Sequence, residues 1–530
     1  MPALLRSRPF FWSLLIVITL SAFALRSYHI DSIPAGLYPD EAMNGIDAIE
    51  ANETGNYRLF YPNNFGREGL FINLQALSLL VFGIDIPALK LWSGIFGSLA
   101  VLGTGLLAWE LFRSRSAAIV SALLMATSFW AINFSRIGFR AIMVPFLLSF
   151  SFYFFFRGLR KGTLFPFAVA GFLFGLGLHT YIAFRLAPFI LIFLLPFLML
   201  SYEHFLKRFW KHAFVFVVAA GIAAAPMFYA FVTNPDILAS RSAAISVFSP
   251  EVNEGNLWGT LGKTIGLSLI KYNFVGDQNW RHNYPPYPVL DPIVGTFFLA
   301  GLIFSVGMLV KLLGERIRER RRDVELPVHA LLLGGFIVML APEFLTDEGL
   351  PHALRSIGTQ PFVFLFASIP IVFVYRRLAR AKAGSSLAVA GFLFLVLAGS
   401  AAWNITKYFV LFADRPEQHA AFDARTTNMA TYLLGLPDET YKYVYANIDS
   451  NETVTPLGAQ PLAFLIHGKL ENFAFLKQDT VVHRPAIIIP MRYDERILEN
   501  IRMRIPEAYA LDIDLRPGHG TAFTAIVIPE

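Results

Sequence analysis

Long, nearly uninterrupted apolar runs dominate the first four hundred residues of the chain, and polar residues are concentrated between these runs. A run of about 20 apolar residues is long enough for a helix to cross the hydrocarbon core of a bilayer. Arg6 and Arg8 precede the first run, but no small-residue cleavage site follows it before Arg26, which favours an uncleaved span over a signal peptide. We therefore predict eleven membrane spans, near residues 9–25, 86–112, 117–133, 141–156, 163–180, 185–201, 212–232, 291–313, 326–342, 358–375 and 385–404.

The segments between the runs alternate in character. One set is short and rich in Lys and Arg, as in ERIRERRR at 315–322, and the positive-inside rule places this set and the N-terminus in the cytoplasm. The other set contains three long loops, 26–85, 233–290 and 343–357, which we place on the outer face. Within the first loop, 70–83 is apolar but too short to span, so we predict a helix that lies along the membrane interface.

The tail is richer in charged residues than the membrane part. It combines β-rich runs at 441–448, 486–490 and 523–528 with the helix-compatible stretch 494–504. We therefore predict a mainly α, polytopic transmembrane helical bundle over 1–404, followed by a soluble extracytoplasmic α/β domain over 405–530. The odd number of predicted spans is what places this tail outside.

Composition excludes several classes of protein. Of the 530 residues, 55% are hydrophobic and only 15% are charged, which is unlike a soluble or a disordered chain. The absence of Cys excludes disulfides and thiolate metal sites. The net charge of +6 comes from the membrane part, where it determines topology, so we expect no nucleic-acid partner.

Acidic residues of the first outer loop are the first candidates for chemistry. Asp40 and Glu41 follow soon after the first span, and Arg67 and Glu68 come later in the same loop. A carboxylate just above the bilayer can be partly desolvated and can act as a general base. The alternative is that Asp40 only caps a helix over 42–52.

A second group precedes a predicted span and consists of Asp277, Arg281, His282 and Asn283. In the third outer loop, His352 and Arg355 are three residues apart and would share one face of a helix. Arg and His at the membrane interface can bind a lipid phosphate. Structural turns are the alternative for both groups.

Further polar residues lie at the predicted outer ends of spans: Arg136, Arg140, His179, Tyr181 and Arg185. Interfacial anchoring is the alternative function for these side chains. All the candidates fall on one side of the membrane, whereas a transporter would also place polar residues at the midplane. The pattern favours an enzyme at the outer leaflet. A transporter or flippase of lipid-linked sugars is the second hypothesis, and a structural or assembly role is the third.

Over about residues 1–404 the chain resembles the GT-C glycosyltransferases, specifically the protein O-mannosyltransferases and the lipid A aminoarabinose transferases. The resemblance rests on the span layout, on the Asp-Glu pair, on a second acidic motif before an interfacial helix, and on the stretches RHNYPPYPVLDP and LPHALRSIGTQP, which are similar to bacterial family 39 members. The aminoarabinose transferases have Glu-Lys-Pro-Pro in the second motif, where this chain has Arg67-Glu68-Gly69-Leu70. Here the cation precedes the acid instead of following it.

This resemblance implies an enzyme of the bacterial inner membrane that moves a sugar from a polyprenyl-phosphate donor to an acceptor on the outer face, with inversion. It assigns Asp40 as the catalytic base, Glu41 as its neighbour and Glu68 as the acid of the second motif. Cationic and imidazole groups would stabilise the departing phosphate, as a metal would otherwise. The candidates for this are Arg136, Arg140, Arg281, His282, His352 and Arg355.

The remaining candidates would support the site: Arg67, Asp277, Asn283, His179, Tyr181 and Arg185. We expect no cofactor, with a divalent metal held by carboxylates and His282 or His352 as the alternative. The sugar, the prenyl length and the acceptor, whether protein, lipid or glycan, stay open at this point.

Overall fold

The computed structural model describes residues 7–235, 245–381, 386–446, 457–476 and 480–530. Within these ranges, nine helices are long and apolar enough to cross a membrane by length and composition. They are Arg8–Ser27, Ile86–Phe112, Arg140–Lys161, Ile182–Ser201, Phe205–Thr233, Pro292–Arg318, Leu326–Phe344, Ile357–Leu378 and Ala388–Phe412. The predicted fold class, a polytopic helical bundle with a small α/β tail, is confirmed.

Two of the eleven predicted spans form shorter helices. The run 117–133 is divided at Ser128, whose extended backbone separates Arg115–Thr127 from Phe129–Phe134. The run 163–180 forms Leu164–Leu176 and then tightens into a 3₁₀ turn. A helix of 13 residues is only about 20 Å long, against about 30 Å of hydrocarbon. Nine helices of the described residues meet this criterion of length and composition, so the number of spans, predicted as eleven, is approximate.

The remaining helices are short. They are Pro39–Thr54, Gly69–Phe82, Pro250–Asn253, Leu257–Ile270, Pro416–Ala421, Ala424–Leu434, Gln460–Ile466 and Glu495–Arg502. Gly69–Phe82 matches the predicted interfacial helix, and its last turns leave Leu80, Val81 and Phe82 more than 60% exposed. Apolar side chains exposed on a short helix are typical of one that lies against lipid.

The chain divides into two compact units. The first consists of Met1–Tyr28, Phe65–Phe71 and Trp92–Tyr408, and the second of His29–Asn64, Ile72–Leu91 and Phe409–Glu530. The predicted domain boundary near residue 404 lies close to one of these junctions. The grouping of first-loop residues with the tail was not predicted.

Helices of the first unit approach closely where glycine is present. Gly171 and Gly175 are four residues apart on Leu164–Leu176, and they contact the backbone carbonyl oxygens of Phe216 and Ala220. A methyl group at either glycine would clash with these oxygens. Small residues at this spacing let two membrane helices pack backbone to backbone.

The second unit is built around a five-stranded mixed sheet. Its order is Phe473–Phe475, Tyr441–Tyr445, Ala486–Pro490, Phe523–Ile528 and Tyr509–Ile513. The first two neighbouring pairs are parallel and the last two are antiparallel. The central strand is buried along its whole length, which explains its unbroken apolar sequence AIIIP. Residues 447 and 448 of the predicted run 441–448 lie outside the described ranges.

One face of this sheet shares a hydrophobic core with the first loop. The core includes Leu37 and Ala48 from the loop and Leu433, Phe464 and Ile489 from the tail. Gln460–Ile466 packs directly on Pro39–Thr54. The helix that begins with the Asp-Glu pair is therefore positioned by the tail.

Candidate active site

The Asp-Glu pair lies in the first turn of Pro39–Thr54. Tyr38 is extended and Pro39 opens the helix, since its fixed φ suits the first helical position and it needs no amide hydrogen bond there. The helix thus begins before residue 42, and Asp40 is not its N-cap, contrary to the capping alternative. Two acids in the first turn also interact favourably with the helix dipole.

Glu41 and Asp40 have different environments within the second unit. Glu41 is fully buried, and its Oε2 lies 3.4 Å from Nζ of the buried Lys90. Asp40 is only partly buried, and its Oδ1 accepts a hydrogen bond of 2.8 Å from Nδ2 of Asn64. Among the described residues no cation lies at ion-pair distance from Asp40. The Glu41 carboxylate is held in a structural ion pair, whereas the Asp40 carboxylate is oriented by an amide and is available to accept a proton.

Asn64 is itself fixed. Its side-chain amide exchanges hydrogen bonds of 3.2 and 3.3 Å with that of Gln460, a buried residue of the tail. This contact connects the tail to Asp40 through one intervening side chain.

In the first unit, Glu68 lies between two arginines. Its Oε2 accepts a hydrogen bond of 2.6 Å from Nε of Arg140, and its Oε1 lies 3.5 Å from Nη2 of Arg185. The ring of Tyr181 lies 5.6 Å from the Arg140 guanidinium. Glu68 is buried, whereas about a fifth of each arginine side chain is exposed. Residues that the sequence indicated separately thus form one cluster.

The arginines of this cluster have more hydrogen-bond donors than Glu68 can satisfy. Two guanidiniums offer about ten N–H groups, against about four acceptor positions on one carboxylate. Nε of Arg185 is buried and has no hydrogen-bond partner within the described residues. The cluster therefore retains a net positive charge and free donors, which are the properties of an anion-binding site.

Asp277 organises a second cluster in the same unit. Its Oδ2 accepts hydrogen bonds from Nδ1 of His282 at 2.9 Å and from the amide of Ala353 at 2.7 Å. The ring centroids of His282 and His352 are 4.6 Å apart. Nδ1 of His352 is buried and has no hydrogen-bond partner in the described part of the chain. The predicted residues of the second and third loops therefore meet at this point.

Beneath this cluster lies an ion pair that the sequence analysis missed. Lys271 and Glu343 are both fully buried and in direct contact, and Oε1 of Glu343 accepts a hydrogen bond of 2.9 Å from the amide of His352. Burial lowers the pKa of Lys271, although the Glu343 carboxylate opposes this shift. Glu343 and Asp277 together fix the backbone of residues 352 and 353.

The environment of His352 favours its neutral form. Burial is the main reason that the pKa of His352 lies well below its ordinary value, and His282, Arg355, Arg281 and Lys271 add to the shift. A neutral imidazole with a free ring nitrogen can donate to or accept from a ligand without a change of charge.

His352 and Arg355 do not share a helical face, so that prediction was wrong. Pro351 disfavours helix in the residue before it and lacks an amide hydrogen, and the next two amides are bound by Glu343 and Asp277. Arg355 instead donates to the Glu348 carboxylate at 2.6 Å and to Oγ1 of Thr346 at 2.8 Å.

Other predicted side chains have structural contacts. Arg136 is buried and donates to the carbonyl oxygens of Leu25 and Tyr28 at the end of the first helix, which favours anchoring over phosphate binding. Nδ2 of Asn283 donates to two loop carbonyl oxygens, and Nε2 of His179 hydrogen-bonds the Ala223 carbonyl oxygen. Arg281 donates to Oδ1 of Asn279. Arg67 is buried, 3% exposed.

Comparisons with known proteins agree with this architecture. Residues 70–229 match the family model of the dolichyl-phosphate-mannose-protein mannosyltransferases. The crystal structure of ArnT from Cupriavidus metallidurans in the apo state aligns with a TM-score of 0.55 at 14% identity, covering 98% of this chain and 98% of that chain. The same protein bound to undecaprenyl phosphate aligns with a TM-score of 0.53 at 13% identity and the same coverage of both chains. No curated protein matches the sequence.

The chain is thus similar to GT-C glycosyltransferases, over residues 70–229 in sequence and over almost its whole length in fold. The predictions of a GT-C resemblance, of an enzyme and of a membrane glycosyltransferase are therefore confirmed.

Within the described residues, one group of side chains could hold a metal ion. One ligand atom each of Asp277, His282 and His352 lies within 4.8 Å of the others. A carboxylate and two imidazoles suit a divalent transition metal. The neighbouring Lys271 and Arg355 oppose a second positive charge, so the same groups fit a hydrogen-bonding function equally well.

The residues that the sequence missed are Lys271, Glu343 and Asn64. The signal for the ion pair was an acid at the end of the apolar run 326–342, because an ionisable residue at such a position needs a partner. Nothing in the sequence identified Lys271 as that partner.

Proposed function

We propose that this protein is a GT-C glycosyltransferase that transfers a sugar from a polyprenyl-phosphate donor to an acceptor hydroxyl or amine at the outer face of a bacterial inner membrane, with inversion. The N-terminus is then cytoplasmic and the tail extracytoplasmic. The observation that carries the proposal is the excess of guanidinium donors around Glu68, because a donor phosphate can bind there. The undecaprenyl phosphate bound to ArnT has the same chemical class of head group and tail.

The proposed reaction needs a base for the acceptor and cations that stabilise the leaving phosphate. Asp40 takes the proton of the acceptor as the acceptor oxygen or nitrogen forms its bond to the anomeric carbon. The bond from that carbon to the phosphate oxygen breaks on the opposite face, and its electron pair leaves with the polyprenyl phosphate. Arg140 and Arg185 stabilise the charge that develops on this phosphate.

Glu41 and Glu68 do not act as the base in this proposal. Glu41 neutralises the buried Lys90 and fixes the start of the helix. Glu68 holds the two arginines in position, and the neutral His352 and its partner His282 form a second polar surface in the same unit.

The test compares Asp40→Asn with Asp31→Asn, which alters an exposed acid of the same loop. Each purified variant is given undecaprenyl-phosphate-linked hexoses and pentoses with acceptor-containing membrane extract, and release of undecaprenyl phosphate is measured. We expect Asp40→Asn to reduce transfer by roughly 10²- to 10⁴-fold with an unchanged melting temperature. Asp31→Asn should retain wild-type transfer.

Transfer at the wild-type rate in Asp40→Asn would refute Asp40 as the base. Translocation of intact donor across vesicles, with no bond broken by the wild type, would refute the proposed reaction itself.

A further inference from the structure

Lys407 is a buried cation that the proposed reaction does not use. It is 4% exposed and lies near the end of the span Ala388–Phe412. Among the described residues, none accepts a hydrogen bond from its ammonium group or lies at ion-pair distance from it. A buried ammonium without an acceptor is unfavourable, so its three donors call for a partner.

Three aromatic rings surround this ammonium. Nζ of Lys407 lies 4.7 Å from the ring centroid of Phe129, 5.0 Å from that of Tyr287 and 5.9 Å from that of Tyr284. We call these three rings and Lys407 the lysine cage. Aromatic faces attract a cation but supply no lone pair along its N–H bonds, so the cage leaves the hydrogen bonds of the ammonium group unmade.

The acid of the neighbouring loop is not available to Lys407. Asp291 accepts hydrogen bonds from Ser400 and Asn404 through Oδ2 and from two helix amides through Oδ1. Its carboxylate is thus satisfied by four other donors. Asp291 acts on Lys407 through its charge, but no acid of the described residues lies at ion-pair distance from the ammonium group.

The lysine cage has an open side. Tyr287 is 41% exposed, and Trp403, one turn before Lys407, is 38% exposed and lies 6.0 Å from the Tyr287 ring. Exposed Tyr and Trp side chains beside the end of an apolar helix are typical of the lipid headgroup level. The anion that membrane lipids place at this depth is a phosphate.

Two further observations mark the region as functional. The helix becomes a π-helix at Lys407, and such turns are frequent at functional sites. The short helix Phe129–Phe134 lies against Lys407 at one end, while its Trp130 donates to the Ala353 carbonyl oxygen and its Phe134 ring lies 5.7 Å from that of His282. The same helix thus supports the lysine cage and the His282–His352 cluster.

We propose that Lys407 binds the phosphate group of a membrane lipid at the open side of the lysine cage. Where that lipid is the polyprenyl phosphate of the donor or product, the inference rests on the proposed function. Where it is a phospholipid of the bilayer, the site holds a structural lipid.

The test measures lipid binding by native mass spectrometry in phosphate-free maltoside micelles. Wild type, Lys407→Met and Lys407→Arg are titrated with undecaprenyl phosphate, with uncharged undecaprenol and with phosphatidylglycerol. We expect Lys407→Met to bind undecaprenyl phosphate about 10- to 100-fold more weakly, with undecaprenol binding unchanged. Lys407→Arg, which retains the charge, should retain most of the affinity.

The matched control is Lys211→Met, because Lys211 also lies over an aromatic ring, that of Trp210 at 5.6 Å, but is exposed. This variant should bind all three lipids as the wild type does. Lys407→Gln replaces the Met variant if the latter fails to fold.

A loss restricted to phosphatidylglycerol in Lys407→Met would support the phosphate site and identify its lipid as a phospholipid. Unchanged affinity for both phosphate lipids in a folded Lys407 variant would overturn the inference. The assay involves no sugar, so a failure of Asp40→Asn to affect transfer would leave this result intact.

Discussion

We predict that breaking the buried pair Lys271–Glu343 destabilises the protein, and that the loss of stability depends on pH. Replacing Glu343 by Gln retains an oxygen that can accept from the His352 amide, but it removes the negative charge that is in contact with Lys271. Both side chains are fully buried, so the lysine must then be either charged and unpaired or neutral. Breaking a buried pair in this way typically costs about 3–5 kcal/mol.

Release of the lysine proton sets an upper limit to this cost. The ordinary pKa of lysine is about 10.4, so deprotonation at pH 7 costs at most about 4.6 kcal/mol. The limit falls to about 1.9 kcal/mol at pH 9. The unfolded chain binds the proton over this whole range and the folded variant does not, so stability of Glu343→Gln should rise with pH by about 1.4 kcal/mol per pH unit.

The assay is reversible unfolding in mixed micelles at pH 7, 8 and 9. The control is the double variant Lys271→Met/Glu343→Gln, which removes the cation and should recover most of the lost stability without a pH slope. A loss below about 1 kcal/mol at pH 7 in Glu343→Gln would refute the reasoning. So would an equal loss at pH 9.

Two other substitutions test the clusters of the first unit. Glu68→Gln should reduce transfer by about 10- to 100-fold, since Arg140 and Arg185 lose the charge that orients them. The unfolding free energy should fall by only about 1 kcal/mol, because both arginines are partly exposed. Measurements of kcat/KM and of the melting temperature check this, and an equal loss of transfer in an exposed-acid control such as Asp31→Asn would contradict it. Burial is the main reason that the pKa of His352 is lowered, so on acidification the unfolded chain takes up the proton before the folded chain does. The free energy of unfolding should therefore fall as the pH drops below about 6.5. His352→Gln should reduce the slope of unfolding free energy against pH, measured from pH 7 to 5, by up to about 1.4 kcal/mol per pH unit, and an unchanged slope would contradict the assignment.

The apolar runs predicted the helices well because membrane insertion depends on length and hydrophobicity, which are local properties of the chain. The predicted run 117–133 forms two helices at a point where the local signal is weak. Ser128 interrupts an apolar run by adopting an extended backbone, and serine is otherwise well tolerated in membrane helices.

Candidate residues were easier to predict than their partners. Glu68, Arg140 and Arg185 each stood out as polar groups beside an apolar run, but their contact depends on how separate helices pack. Lys271 and Glu343 are 72 residues apart, and in the sequence each resembles an ordinary residue at the end of an apolar segment. The error on His352 and Arg355 had another cause, because a three-residue spacing indicates a shared face only if the backbone is helical.

The hydrogen bond between Leu37 and Thr427 joins residues 390 positions apart, at the place where the start of the first loop meets the tail. A ribosome that adds about 5–20 residues per second needs roughly 20–80 s to synthesise that interval. During this time the segment carrying Asp40 lacks the part of its core that Leu433, Phe464 and Ile489 later supply. If Asp40 is the base, as proposed, the site of proton transfer is completed only at the last stage of biosynthesis.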